Sequence, residues 1–192
     1  TKKIKEHNTN EHFYPQKSFE EMLQTNIIYS QNKKINFISY IDPTLINELE
    51  GDLESLKAAF NSIFLASLSI SSKYQNLIIQ IKKVKQEFSK NGLCTISFSI
   101  KNNSTAMSEE QILDLFSNNK TSMDNDESEF YLKIAQTYLK NLESKLEISS
   151  LKNVGNDFKF IVIFKTTPNH KEFNINNDHK LAFLQDASIV YN

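Results

Sequence analysis

The side chains that could do chemistry are few and scattered. There is one cysteine in 192 residues, Cys94. It excludes an internal disulfide framework and suits a reducing compartment. Cys94 sits in an alternating, strand-like run and reads as a buried apolar residue rather than a nucleophile. Four histidines are spread along the chain. His7 and His12 read as surface or turn residues. His170 and His179 have Asp178 beside them but no third ligand in register, so they make no metal site. Asp124, Asp126, Glu127 and Glu129 form an acidic cluster without the glycine and closing glutamate of a calcium loop, and read as solvated. No Ser-His-Asp or Cys-His set can be assembled from spacing. Glycine-rich phosphate loops are excluded too, because the only glycines are Gly51, Gly92 and Gly155 and such loops need several in close order.

Charge narrows the partners. Net charge is -1, with Lys and Asp/Glu mixed along the chain. No basic stripe marks a nucleic-acid or anionic-membrane surface. Every basic residue is lysine, so the planar, two-pronged capture of phosphate by arginine is absent. No apolar run is long enough to cross a bilayer and nothing resembles a signal peptide, so a cytoplasmic location without membrane contact is expected. The chain begins at Thr1 without Met and reads as a piece of a larger protein.

The elements follow from periodicity. Residues 1–12 are polar, the lead-in or end of a preceding helix. A short strand at 12–14 meets Pro15. Phe19, Met22, Leu23 and Ile27 have helical spacing over 17–30. A strand around 35–40 ends at Asp42-Pro43. Asp52 caps a helix running to about Ser71, with Leu53, Leu56, Phe60, Ile63, Phe64 and Leu68 as its apolar stripe. Leu77, Ile79 and Ile81 alternate, as do Cys94, Ile96, Phe98 and Ile100, and Asn91-Gly92 makes them a hairpin with a solvated face at Lys82, Lys83 and Lys85. Ser108 and Gln111 form a capping box opening a helix to Phe116. Residues 117–128 read as a loop. Phe130, Ile134, Tyr138 and Leu142, with Tyr131, Ala135 and Leu139, make a further helix. Strands begin at Leu146–Ile148 and run through Phe158, Phe160, Val162 and Phe164. This order predicts an α+β fold, a two-layer sandwich with helices on one face of a mixed, largely antiparallel sheet.

Four segments in this order resemble the catalytic ATP-binding domain of sensor histidine kinases, whose Bergerat fold is shared with gyrase B and the mismatch-repair ATPases. Ile41 to Asp52 resembles the strand exit and turn before the asparagine-box helix. In that helix the family's magnesium-binding asparagine falls at Ala66 and its basic residue at Ser69. A methyl group offers no oxygen to magnesium. Ile100 to Phe116 resembles the Asp-x-Gly-x-Gly segment, but reads Asn102, Ser104 and Ala106. Asn102 keeps an amide oxygen for an adenine edge, while Ser104 and Ala106 add Cβ atoms where glycine lets backbone and nucleotide come close. Glu127 to Ile134 resembles the lid's glycine-rich end, with Phe130, Leu132 and Ile134 in its apolar positions and Glu127, Glu129 and Tyr131 in place of the glycines. Two carboxylates there would repel a triphosphate, by about 1–4 kcal/mol each at contact. Leu146, Ile148 and Ser150, then Gly155-Asn-Asp-Phe158, resemble the closing strands, with Asn156 at the second position of the ending.

The resemblance covers roughly 13–165, leaving 166–192 as a C-terminal extension. Within it, Lys180 to Asp186 reads as a strand ending in an acid, either an extra strand of this domain or the first strand of a following one. If 180–192 begin a receiver domain, Leu184-Gln-Asp186 falls where its acidic strand end belongs. Apolar positions persist while contact positions have changed. The resemblance therefore implies a pseudokinase-type, ATPase-like domain of a bacterial two-component sensor, with no cofactor expected and signalling by interaction. Its partners would be other domains of the same protein, a response regulator or a partner kinase. The alternative is an active kinase component that holds Mg-ATP in a distorted pocket and phosphorylates a histidine elsewhere.

Overall fold

A computed structural model describes residues 10–45, 48–84, 92–116 and 127–167. The readings made for the lid loop between 117 and 126, for Asn91, Lys85, His7, His170, His179, Asp124 and Asp126, and for the C-terminal extension beyond 167 lie outside the described residues.

The element order is β1 (Glu11–Phe13), α1 (Pro15–Asn32), β2 (Asn36–Ile41), β3 (Leu49–Gly51), α2 (Leu53–Ser69), β4 (Asn76–Lys83), β5 (Leu93–Asn102), α3 (Glu109–Phe116), α4 (Glu127–Asn141), β6 (Glu147–Leu151) and β7 (Gly155–Thr166). The strands form one sheet in the order β1-β3-β7-β5-β4-β2, with β6 beside the first half of β7. Among the described residues only β2 and β4 pair in parallel; the other pairings are antiparallel. The helices cover one face, making the α+β sandwich that the periodicity implied.

Period-two alternation decides which face each strand residue meets. Leu77, Ile79 and Ile81 of β4, Cys94 to Ile100 of β5, and Phe158 to Phe164 of β7 turn alternate side chains under the helices. Phe98 lies at the centre. Its ring stacks on Phe160 at 4.9 Å and meets Phe19 and Phe60 edge-on. Burying each such ring contributes about 1.5–3 kcal/mol. Cys94 is buried, and burial pushes its thiol pKa up, as its place in the alternation suggested. The opposite sheet face carries Gln80, Lys82, Ser97, Ser99, Lys101 and Lys159, which also line a shallow polar groove there.

Caps set the helix ends. Asp52 accepts the Ser55 N–H at 2.9 Å at the start of α2. The capping box of α3 is reciprocal: the Ser108 N–H donates to Gln111 Oε1 at 2.8 Å and the Gln111 N–H to Ser108 Oγ at 3.1 Å. Three expectations are corrected. Glu127 and Ser128, read as the end of the 117–128 loop, are the first residues of α4. Leu49–Gly51, read as part of a strand exit and turn, is a strand that joins β1 to β7. Phe130 was placed on the apolar stripe of α4, yet it is 61% exposed. The buried residues of that helix are Ser128, Leu132, Ala135 and Leu139, a seam of small and aliphatic side chains packed along α2.

Asp42 staples the exit of β2 to the end of β4. Its carboxylate accepts from the Thr44 N–H at 2.9 Å, the Thr44 hydroxyl at 2.7 Å and the Lys83 N–H at 3.2 Å. Partial burial raises its pKa, but the Thr44 and Lys83 hydrogen bonds outweigh burial and leave it below the ordinary 3.8. A depressed carboxyl stabilises the fold above the unfolded pKa and loses that contribution as pH falls through the folded one. Asp42→Ala is expected to cost about 1 kcal/mol at pH 7. Denaturant midpoints of the two proteins should begin to converge as pH falls below the ordinary 3.8 and draw together as it passes the lowered folded pKa; a gap that does not change with pH would assign the cost to packing instead.

Candidate functional site

The alternation that buries the core of β5 also directs its last residue inward. Asn102 therefore faces the helix layer at the end of the sheet, 5% exposed, beside Ser67 of α2. It lies directly opposite Asn156 in the β5–β7 register. Two polar residues thus enter the core side by side where the two strands end.

Their hydrogen bonds form a closed set. Asn102 Nδ2 donates to Ser67 Oγ at 2.7 Å and to the Ser67 carbonyl at 3.3 Å. A carbonyl oxygen only accepts, so the amide nitrogen of Asn102 must be the end that faces it. Asn102 Oδ1 accepts from Ser104 Oγ at 2.6 Å, from the Ser104 N–H at 3.3 Å and from Asn156 Nδ2 at 3.0 Å. Asn156 Nδ2 also donates to Ser104 Oγ and to the Thr105 carbonyl, each at 3.0 Å. Its Oδ1 accepts from the Met107 N–H at 3.1 Å and from Ser150 Oγ at 2.7 Å. Among the described residues no buried side-chain nitrogen or oxygen lacks a partner. A satisfied network of this kind is rigid, because each group that leaves strands another in a low dielectric.

The sequence-derived positions divide between this network and the helices α2 and α4. Asn102 and Ser104 belong to it. Ala106, part-exposed, lies between Thr105 and Met107, whose backbone groups both bond Asn156. Ala66 is fully buried one residue before Ser67, and its carbonyl accepts from Ser69 Oγ at 2.8 Å. Lys33, from the end of α1, donates to the carbonyls of Leu68 and Ser69. Its ammonium caps the negative end of α2. Helices α2 and α4 lie along each other, and Asn141 Nδ2 reaches Ser55 Oγ at 3.3 Å. That contact joins the last turn of α4 to the first turn of α2, so the first turn of α4 lies toward the Ala66–Ser69 end.

On that first turn Glu127 is exposed and accepts from the Tyr131 hydroxyl at 3.3 Å. Glu129 pairs with Lys133 one turn on. The Tyr131 pKa is raised, by loss of solvent first and by the Glu127 charge second. Two features escaped the sequence reading. Ser67 carries no signal of its own on α2, and the hydrogen-bonding roles of Ser150 and Asn156 depend on how the strands pair. Extending the inward parity of β5 and β7 to residues 102 and 156 would have exposed the pair.

Among the described residues no group of three His, Cys, Asp or Glu could hold a metal ion, and no described helix is long and apolar enough to cross a membrane. No protein-family model and no curated protein matches the sequence. Solved structures do match. The catalytic domain of histidine kinase ThkA, in a nucleotide-free form, superposes with a TM-score of 0.63 over 80% of this chain and 94% of its own, at 15% identity. The chain has the fold of a histidine kinase catalytic domain. Full-length ShkA in complex with AMPPNP superposes at TM-score 0.66 and 11% identity, over 83% of this chain and 32% of its own. The mycobacterial sensor histidine kinase MprB gives 0.61 and 12%, over 82% and 99%. Within this histidine kinase catalytic fold the polar network sits where β5, β7 and α2 converge.

Proposed function

We propose that this is an ATPase-like domain of a two-component sensor protein whose nucleotide site has become structural, and that it signals by contact with other domains or proteins. The closed bonding of Asn102 carries this reading. The oxygen that would meet an adenine amino group already accepts three hydrogen bonds, and a fourth partner would have to displace one of them. The residues at the site do not suit Mg-ATP. Ala66 presents a methyl group, and magnesium takes oxygen ligands. Ser104 supplies a hydroxyl that fills the space beside Asn102. Glu129 is neutralised by Lys133, so the repulsion of a triphosphate falls mainly to Glu127. A histidine kinase fold, a likeness to catalytic domains of sensor kinases, and a small, mixed net charge together favour protein partners such as the other domains of its own chain, a response regulator or a partner kinase.

Thermal melting tests the reading. Mg-ATP or Mg-ADP in millimolar excess should leave the midpoint unchanged. A ligand present at 100 times its Kd would add about 2.7 kcal/mol, a rise of several degrees for a domain this size. A nucleotide-dependent rise would reinstate the active-kinase reading.

A further inference from the structure

We propose that β2 is a self-association edge, on which a second copy of this chain pairs antiparallel about a twofold axis at Ser39. Edge strands are normally guarded by charge, proline or brevity. The other two sheet edges follow that rule. β1 is three residues long and carries Glu11 and His12, and β6 carries Glu147. The edge formed by β2 has none of these guards. It is six residues, Asn36-Phe-Ile-Ser-Tyr-Ile41, all uncharged, in a chain that is 23% charged.

Backbone phase says which groups are available. The Asn36 N–H donates to the Gln75 carbonyl and the Asp42 N–H to the Ile81 carbonyl, each at 2.9 Å. In a parallel ladder alternate residues point to the same neighbour. Even-numbered residues of β2 therefore turn their backbone to β4, and Phe37, Ser39 and Ile41 turn theirs outward. Among the described residues nothing bonds those outward groups.

The strand is complementary to itself in that phase. Antiparallel pairing centred on Ser39 sets Ser39 opposite Ser39 and Phe37 opposite Ile41, all with outward-facing backbone. Each facing pair can then exchange two hydrogen bonds. The same register sets Ile38 opposite Tyr40 on the other sheet face, as the non-hydrogen-bonded pair whose side chains approach most closely. Ile38 and Tyr40 are 51% and 47% exposed. Aromatic against β-branched is a favourable cross-strand pair. Lys82 lies over the Tyr40 ring at 5.6 Å and holds it on that face. Shifting the register by two residues keeps the backbone parity but leaves one end of the strand without its match. Like charges never meet, because β2 has none. The contact is a narrow ribbon, so the dimer belongs with the weak interfaces burying less than about 1,200 Å².

The test is sedimentation of the 192-residue chain from about 10 μM to 1 mM, with Ser39→Lys and Ser39→Glu measured apart and mixed. Ser39 is exposed in the monomer, so both variants should keep the parent melting temperature. The expected results are a weak wild-type dimer, a Kd raised at least about tenfold by either charge, and a heterodimer restored on mixing at low salt. Amide exchange at Phe37, Ser39 and Ile41 should slow as wild-type concentration rises, and this readout stands even if a variant fails to fold. A monomer throughout, a dimer indifferent to both charges, or failure of the mixture to reassociate would each overturn the proposal. So would protection of those amides at every concentration, which would mean that another segment of this chain covers the edge.

Discussion

Asn102→Asp is expected to lower stability at neutral pH by about 2–4 kcal/mol and to bring no nucleotide binding. The substitution places a carboxylate where the histidine kinase ATP-binding domains that this sequence resembles carry one, so simple restoration would predict a gain. The local bonding argues otherwise. Asn102 Nδ2 is a donor to Ser67 Oγ and to the Ser67 carbonyl. An ionised carboxylate cannot donate, and it would set an oxygen against that carbonyl in a site 5% exposed. Ser67 Oγ can rotate to donate to the new carboxylate; the carbonyl cannot. The acid's way out is to stay protonated, since a carboxylic O–H can replace the lost N–H. Its folded pKa would then be raised, and the stability gap to the parent should narrow as pH falls toward the carboxyl's unfolded value. Urea denaturation of both proteins at pH 7 and pH 5 measures this, with melting in Mg-ATP alongside. A variant as stable as the parent at pH 7 would show that the network tolerates a carboxylate. Nucleotide-dependent stabilisation of the variant would show that one residue separates this site from an ATP site.

Most of the fold was legible because its signals are local and repeat. Cys94, Ile96, Phe98 and Ile100 alternate without interruption, and all are buried in β5. Ser108 and Gln111 are three residues apart and bond reciprocally. Asp52 caps α2, as its place before the apolar stripe implied. The misses have physical reasons. Leu49–Gly51 is three residues long, too short for alternation to register, and it is a strand only because β1 and β7 flank it. Phe130 repeats with Ile134 and Tyr138 at helical spacing, yet α2 packs against the neighbouring stripe of Ser128, Leu132, Ala135 and Leu139. Near the end of a helix, hydrophobicity fails to predict burial when the packing partner selects small side chains instead.

Of the candidate site, single positions stand out in the sequence and their hydrogen bonds do not. Ala66, Asn102 and Ser104 stand out by resemblance to a motif, which says nothing of what each side chain bonds. That is a non-local matter. Ser67 is 35 residues from Asn102 and Asn156 is 54, and no spacing rule joins three such segments. Only the inward parity of two paired strands brings the amides together. The polar set joins β5 and β7 to α2 through side-chain hydrogen bonds, and a satisfied buried network of this kind rigidifies the place where they meet.

The same network makes Gly155 a sensitive position. Gly155→Ala is expected to lose about 4 kcal/mol or more, at the far end of single-substitution effects. Gly155 starts β7 at φ +122, a conformation that side chains rarely adopt. A Cβ there would lie 1.9 Å from the Asn102 carbonyl oxygen, 2.7 Å from Asn103 Cα and 2.8 Å from the Asn102 carbonyl carbon. All three are backbone atoms, so no rotamer change relieves the clash. The strands would have to part at the point where Asn102 and Asn156 pair, breaking several hydrogen bonds together. Gly92 supplies the control. It has φ +91 but, among the described residues, nothing within 4 Å of its missing Cβ, so Gly92→Ala should cost mainly the conformational strain, about 1–3 kcal/mol. Comparing the two variants by denaturant midpoint separates backbone strain from crowding. If they lose equal stability, β5 and β7 can spread freely at this end, and the Asn102–Asn156 pair does not hold the site shut.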